Sequence, residues 1–447
     1  MNRLKKLFVP VDMTVGKPWE DIVIFTVPML IGNIAQQLYN TVDSVVVGQF
    51  VGDNALAAVG SAGPILNLLI VLFVGISVGA SIMVSQYLGA RNKEALSMTI
   101  GTCIVLTGIA SLLVMVFATV AARPMLKLLN TPASIIDWCT SYLRIFFIGV
   151  AGCAYYNILS GILRGLGDSM SALFYLLAAS GLNIVLDLFF VVQMDMGVAG
   201  VALATAIAQG FSAFLCLWRL AKLKELFELK WKYIRLFKSH VKNIIRLGVP
   251  SGVTQAIMSM SMLVVQSLTN SFGEMFIAAN VIVMRVDGFA MMPNFSFGTA
   301  MTTYAGQNVG AGKYDRVAKG ARQGTAIAVG TAAVIVVLIL AFGKRLMQIF
   351  TDTSELVGLS MNMMRILAVG YVAVAVTQTL SGVMRGAGDT MTPMWISMVT
   401  TVLIRVPLAY GLVYLTKTPQ LPQGERASLF ISLLISWVLG AVSTGFF

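Results

Sequence analysis

The chain has 447 residues, of which 57% are hydrophobic and 11% are charged, and its formal net charge is +12. Soluble domains are about one quarter charged, so this composition excludes an ordinary soluble protein. Apolar runs of about 20 residues recur along the sequence, and this pattern predicts a polytopic α-helical membrane protein. In such a protein the excess of Lys and Arg marks cytoplasmic loops rather than a nucleic-acid surface.

Metal and redox chemistry have few candidate side chains. His240 is the only histidine, and the four cysteines include no CxxC pair. This inventory excludes a histidine-based zinc or catalytic cluster and predicts no disulfide, no metal site and no cofactor.

Twelve membrane spans are predicted, six on each side of a basic linker. In chain order they lie near 22–50, 54–85, 97–120, 134–162, 171–192, 197–219, 246–271, 275–305, 320–345, 358–383, 392–415 and 427–447. The predicted organisation is therefore a six-helix lobe (1–218), an amphipathic linker on the membrane surface (219–246) and a second six-helix lobe (247–447). The basic start, "MNRLKK", and the linker predict a plasma-membrane protein with both of these segments in the cytoplasm.

A charged, glycine-rich phrase occurs twice. "GILRGLGDSM" begins at Gly161 and "GVMRGAGDTM" begins 221 residues later, at Gly382. The same register relates "QYLGA" to "QNVGA", so the fold class is predicted as two homologous six-helix bundles in one orientation, a plan typical of secondary transporters. We interpret each phrase as a turn whose charges pair or cap helix ends. The candidate charged residues are Arg164 and Asp168 in the first copy and Arg385 and Asp389 in the second.

Three predicted spans of the first half carry polar side chains. Asp43 ends a one-faced stripe that contains Gln36 and Asn40, and such a face lines either a hydrated cavity, which we favour, or a buried hydrogen-bond seam. Asn183 and Asp187 share a face of the fifth span, and Thr205 lies in the middle of the sixth. Two carboxylates, an amide and a hydroxyl can hold a small hard cation, and two close carboxylates can share one proton.

The second half carries different charges. Arg285 and Asp287 lie in the eighth span and Arg405 lies in the eleventh. An intramembrane arginine needs a counter-charge or water. We predict that Arg405 pairs with Asp287; the alternative is that each charge snorkels or faces a cavity alone. Met291 belongs to a methionine-rich pair of spans that suits either an adaptable cavity or plain packing.

The motifs together resemble the multidrug and toxic compound extrusion (MATE) transporters over nearly the whole chain. They are the doubled turn, "QYLGA" and "QNVGA", "YNTVDSVVVGQFVG" and "GLNIVLDLFFV". The resemblance implies a V-shaped, two-lobed antiporter that exports organic, often cationic, compounds in exchange for H⁺ or Na⁺. It implies a cation-coupling site at Asp43, Asn183, Asp187 and Thr205, with Gln36, Tyr39 and Asn157 on the substrate cavity. To that cavity we add Asn40, Arg285, Asp287 and Met291.

The resemblance also bears on the coupling ion. One branch of the family has acids in its second half, which align here with Met258 and Val374. We therefore place coupling in the first half and favour protons, with Na⁺ at the same four residues as the alternative. The expected partners are small organic substrates and the bilayer, with no nucleic acid and a monomeric state. The competing function is a flippase for a lipid-linked oligosaccharide; an intramembrane enzyme is disfavoured because HExxH and GxSxG motifs are missing.

Overall fold

A computed structural model describes residues 9–129 and 131–447, so the basic opening "MNRLKK" lies outside the described residues. The helices of the first half are α1 Pro18–Val46, α2 Asp53–Gly89, α3 Lys93–Leu128, α4 Ile136–Ile148, α5 Val150–Gly165, α6 Ser169–Leu188 and α7 Gly197–Lys222. Those of the second half are α8 Lys238–Asn270, α9 Glu274–Gly310, α10 Tyr314–Gln348, α11 Ser354–Ala387, α12 Met391–Ser397, α13 Arg405–Leu415 and α14 Ala427–Phe446. Three π-helical segments, Val47–Val51, Phe189–Gln193 and Met398–Ile404, continue or connect these helices.

The number of membrane spans agrees with the sequence prediction. Within the described residues, eleven helical segments are long and apolar enough to cross a bilayer. Helices α4 and α5 together make a twelfth span, which bends by 52° at Gly149. The prediction of an all-α membrane protein with twelve spans is confirmed.

The linker is shorter than the predicted 219–246. Helix α7 continues to Lys222 and α8 begins at Lys238, and the residues between them contain a single 3₁₀ turn at Trp231–Tyr233. The Ser97 hydroxyl accepts the Glu228 backbone N–H at 2.9 Å, and the Thr102 hydroxyl donates to the Arg235 carbonyl at 3.3 Å. These bonds tie the irregular backbone to α3, so a continuous amphipathic helix does not form here.

By their internal contacts the described residues divide into two compact units. Unit 1 contains Val27–Gly252 with a short segment that ends at Asp12, and unit 2 contains Val253–Phe447 with Met13–Thr26. Helices α1 and α8 are therefore each divided between the units, where the sequence alone predicted a boundary only in the linker. Each division falls beside a proline inside the helix, Pro28 in α1 and Pro250 in α8.

The doubled phrase provides close helix packing in both units. A Cβ added at Gly161 would overlap the Ser77 side chain of α2, and one at Gly382 would overlap the Gly298 carbonyl of α9. Glycine is needed at both positions because the two backbones approach so closely. Helices α2 and α5 of unit 1, and α9 and α11 of unit 2, pack together in this way.

The segment Met13–Thr26 is held in unit 2 by polar contacts. Gln307 accepts the Met13 backbone N–H at 2.9 Å. The Arg316 guanidinium donates to the Met13 carbonyl at 3.1 Å, to the Gly16 carbonyl at 2.7 Å and to Asp21 at 2.8 Å. The "QNVGA" motif and the residues that follow it thus hold the start of α1.

Candidate functional site

Unit 1 contains a polar cluster built from three helices. Helix α1 supplies Tyr39 and Asp43, α6 supplies Asn183 and Asp187, and α7 supplies Thr205. Asn183 and Asp187 lie one helical turn apart and are each only 1% exposed. The structure thus brings together all four residues of the predicted cation-coupling set, along with one residue of the predicted substrate cavity.

Asn183 links two of the helices. In the orientation that satisfies both ends of its amide, Nδ2 donates to Asp187 Oδ2 at 2.7 Å and Oδ1 accepts the Thr205 backbone N–H at 3.2 Å. Tyr39 of α1 lies in the same cluster, near Asp43, Asp187 and Thr205. The amide therefore fixes one oxygen of Asp187 and joins α6 to α7.

The two carboxyl groups keep free acceptor atoms. Asp43 and Asp187 lie within hydrogen-bonding reach of each other. The Oδ1 atoms of both are buried and accept no hydrogen bond from any donor in the described part of the chain. Two carboxylates at this range repel unless a proton or a cation lies between them. The geometry therefore suits the reversible uptake of one positive charge.

Irregular helix flanks these charged groups. A π-helical segment begins four residues after Asp43 and another begins two residues after Asp187. A third ends directly before Arg405 in unit 2. Such π segments leave backbone hydrogen bonds adjustable and are frequent at functional sites.

Three other residues of unit 1 are predicted to line the substrate cavity. Gln36 and Asn40 are exposed on α1. Asn157 donates Nδ2 to the Cys153 carbonyl of its own helix at 2.8 Å. Their place on a substrate pathway stays a prediction.

Unit 2 encloses a cavity of about 380 Å³. Asp287 and Met291 line it, as predicted, while Arg285 is exposed and is not among its lining residues. Arg385 and Arg405 also line it, and the other walls include methionines and aromatic rings. Asp287 Oδ1 accepts the Tyr371 hydroxyl at 2.9 Å.

The charges of the doubled turn are predicted to pair with each other or to cap helix ends, and both aspartates cap helix ends. Asp168 bonds Arg219 at 2.8 Å rather than Arg164, because α7 ends beside the turn; Asp168 also accepts the Ser171 backbone N–H and so caps α6. Among the residues that the structure describes, Asp389 accepts the backbone N–H groups of Met391 and Thr392 and forms no ion pair with Arg385.

The predicted pairing of Arg405 with Asp287 is present as an electrostatic attraction and not as a direct ion pair. Among the described residues neither side chain forms an ion pair, and the Arg405 Nε is buried without a hydrogen-bond partner. The Tyr371 hydroxyl, on the neighbouring α11, is the donor to Asp287 instead.

Comparison with known proteins decides the family. The MatE family model matches residues 28–189 and matches again over 250–411. The chain belongs to the MatE family. The second match begins 222 residues after the first, which supports the internal repeat with one residue of slip. Members of this family are transporters, so the chain is a membrane transporter and not an enzyme.

Named relatives and solved structures agree with this assignment. The chain is 29% identical to "Probable multidrug resistance protein YoeA" of Bacillus subtilis, with 93% of this chain and 92% of the relative covered. It is 29% identical to "Probable multidrug resistance protein YpnP" of the same organism, with 89% and 88% covered. A solved MATE transporter, described as an outward-facing multidrug resistance protein of the MOP superfamily, matches with a TM-score of 0.88 and 26% identity over 97% of this chain and 95% of that one. The predicted family and two-lobed fold class are confirmed.

Three residues of these sites are not predicted from the sequence. Arg219 falls in the predicted linker, although its position at the end of a span places it on the same side as Asp168. Arg385 falls in a predicted turn but lines the unit 2 cavity. Nothing in the sequence marks Tyr371, because an apolar span tolerates a tyrosine anywhere along its length.

Proposed function

We propose that this protein is a secondary active exporter of small organic, often cationic, compounds, driven by the inward movement of a proton at Asp43 and Asp187. Membership of the MatE family and the names of the relatives support the export of drugs. The observation that carries the coupling site is the pair of buried carboxyl oxygens without donors.

The proposed cycle uses that pair as a switch. A proton that enters from outside lies between Asp43 and Asp187 and removes their repulsion. The protein then favours a state with lower affinity for the organic cation, which leaves to the outside. Loss of the proton to the cytoplasm restores the charges and the affinity, and alternating access of the two lobes moves both ligands. The substrate must bind the two states differently for this exchange to work.

The oxygen atoms available in the cluster suit the binding of a proton better than the binding of Na⁺. Hard cations such as Ca²⁺ and Mg²⁺ take six or more oxygen ligands, and Na⁺ is also a hard cation. The cluster offers two carboxyl oxygens without donors, while the Asn183 amide oxygen already accepts the Thr205 N–H. A shared proton needs only two oxygens, so the proposal takes H⁺ as the coupling ion and keeps Na⁺ as the alternative.

The test is export of ethidium from proteoliposomes under a proton gradient or a sodium gradient, each imposed separately. Asp43→Asn and Asp187→Asn remove one charge each and are expected to abolish gradient-driven export. The matched control is Asp195→Asn, an exposed acid of the same unit whose φ of +51° suits asparagine equally well. This control is expected to export at the wild-type rate.

Each result has a definite meaning. Export under the sodium gradient alone would replace the proton by Na⁺ at the same site. Export that persists in both amide variants would remove the coupling role from this cluster. A wild-type protein that moves no ethidium under either gradient would contradict organic-cation export and favour a lipid or lipid-linked oligosaccharide as cargo.

A further inference from the structure

The cavity of unit 2 is positively charged. Its ionisable lining residues are Asp287, Arg385 and Arg405, which gives a formal charge of +1. Among the described residues neither arginine has an ion-pair partner or a hydrogen-bond partner, and the Arg405 Nε is buried. A buried guanidinium without an acceptor is costly unless a ligand or water completes it.

Asp287 attracts Arg405 electrostatically, but within the described residues it forms no direct ion pair with either arginine. Its Oδ1 accepts the hydroxyl of Tyr371, a side chain with no exposed surface, at 2.9 Å. The same hydroxyl lies 3.2 Å from the Met364 sulfur, which limits its freedom to turn away. The carboxyl group is therefore held by α11, and the Arg405 guanidinium is left available to a ligand.

The position of Arg405 differs between the two halves of the repeat. In the register of the doubled turn, 221 residues, Asn183 of the coupling cluster corresponds to Ile404 and Asp187 corresponds to Leu408. Unit 2 therefore has apolar side chains where unit 1 has its amide and carboxylate, and Arg405 follows directly after the first of these positions. A π-helical segment, Met398–Ile404, ends directly before Arg405, and such segments are frequent at functional sites.

The remaining walls are suited to an apolar body. Met258, Met262, Met284, Phe295 and Trp437 line the same cavity. Thioether and aromatic side chains adapt to ligands of different shape. A guanidinium recognises carboxylate or phosphate by paired, charge-assisted hydrogen bonds.

We propose that the unit 2 cavity binds the anionic group of an amphipathic organic ligand through Arg405, with Arg385 adding positive charge. Asp287 lies in the same cavity, so the site suits a zwitterion best: the anionic group meets Arg405 and the cationic group meets Asp287. This inference rests on the proposed export function but concerns a different site from the coupling cluster. The anionic group belongs either to a free substrate or to the headgroup of a lipid.

Two rhodamine dyes differ in the required group alone. Rhodamine 110 carries a free carboxylate and rhodamine 123 carries its methyl ester, on the same cationic ring system. Their binding is measured by fluorescence anisotropy with the full chain in phosphatidylcholine nanodiscs. We expect wild-type protein to prefer rhodamine 110 by about tenfold, the scale of one charge-assisted hydrogen-bond pair.

Arg405→Gln is expected to remove this preference and leave the affinity for rhodamine 123 unchanged, and Arg405→Lys is expected to restore part of it. The matched control is Arg365→Gln, which removes an exposed arginine of α11 that does not line the cavity. Equal binding of the two dyes by wild type, or a preference that survives in Arg405→Gln, would overturn the proposal. Binding of rhodamine 123 by Arg405→Gln shows that this variant is folded.

Phosphatidylglycerol in the nanodiscs separates the two sources of the anion. If it weakens rhodamine 110 binding to wild type and not to Arg405→Gln, the occupant is a lipid phosphate; without competition, it is a free substrate. Asp43→Asn is expected to lose gradient-driven export and keep the dye preference. Failure of the coupling site and failure of this cavity are therefore distinguishable.

Discussion

Within the part of the chain that the structure describes, the Tyr371 hydroxyl donates a hydrogen bond to Asp287, and both residues lie in unit 2. Tyr371→Phe leaves a carboxyl oxygen in a largely apolar cavity without its hydrogen bond. We expect a loss of about 1–3 kcal/mol in the free energy of unfolding, the cost of an unsatisfied buried polar group. The measurement is thermal melting in detergent.

A second tyrosine gives the control for this change. The Tyr410 hydroxyl donates to the Val264 carbonyl at 3.3 Å from an exposed position. Tyr410→Phe removes the same atom and is expected to alter the free energy of unfolding by less than about 0.5 kcal/mol. Equal losses of unfolding free energy in the two variants would show that the hydrogen bond to Asp287 stabilises the protein no more than an exposed one.

Single residues of the site differ in how far the sequence could predict them. The residues proposed for coupling are predictable because charged and amide side chains are rare in apolar spans and because their spacing fixes a helix face. The same argument does not show whether Arg405 bonds Asp287 directly. Whether two side chains form an ion pair depends on the direction in which each helix presents them. The π-helical segment before Arg405 changes that direction, and no feature of the sequence predicts the segment.

At the scale of helices, the doubled phrase produces two different turns. Asp168 caps α6 and forms an ion pair with Arg219, and these side chains are 1% and 18% exposed. Asp389 caps α12 from an exposed position, and its hydrogen-bond partners in the described part of the chain are backbone N–H groups. The aspartate shared by the two copies therefore contributes unequally to the stability of the two halves.

Alanine at these two positions measures the difference. Asp389→Ala is expected to cost about 1 kcal/mol of unfolding free energy, the value of a helix cap. Asp168→Ala is expected to cost about 3–5 kcal/mol, because it also leaves Arg219 without its buried partner. Melting of both variants in detergent gives the comparison, and similar losses would refute the asymmetry.

The repeat itself was predictable at this scale, and its local departures were not. Twelve apolar runs and a constant offset define two equivalent bundles whatever the side-chain details. The bend between α4 and α5 comes from a helix break at Gly149, and many glycines in this chain lie inside unbroken helices. Packing against neighbouring helices decides which glycine breaks a helix, and the sequence alone does not show which helices are neighbours.

At the scale of the whole molecule, Arg316 holds the start of α1 in unit 2. Arg316→Gln removes the hydrogen bonds from its guanidinium to the Met13 and Gly16 carbonyls and to Asp21. We expect faster amide hydrogen exchange in residues 13–21, because those groups lose their partners. The measurement is exchange detected by mass spectrometry on the full chain.

Arg322→Gln is the control for this experiment. Arg322 lies on the same helix, α10, and is exposed. Its loss is expected to leave exchange in residues 13–21 at the wild-type rate. Equal acceleration in both variants would mean that net charge, rather than the Arg316 contacts, controls this segment.

The division of α1 and α8 between the units sets an order of events during synthesis. Met13 leaves the ribosome 294 residues ahead of its partner Gln307, a delay of roughly 15–60 s at about 5–20 residues per second. The first part of α8 emerges after the helix it packs on, since Gly248 lies against Gly75. The start of α1 therefore waits for its contacts in unit 2 during most of translation. The first part of α8 can pack on α2 as soon as it is synthesised.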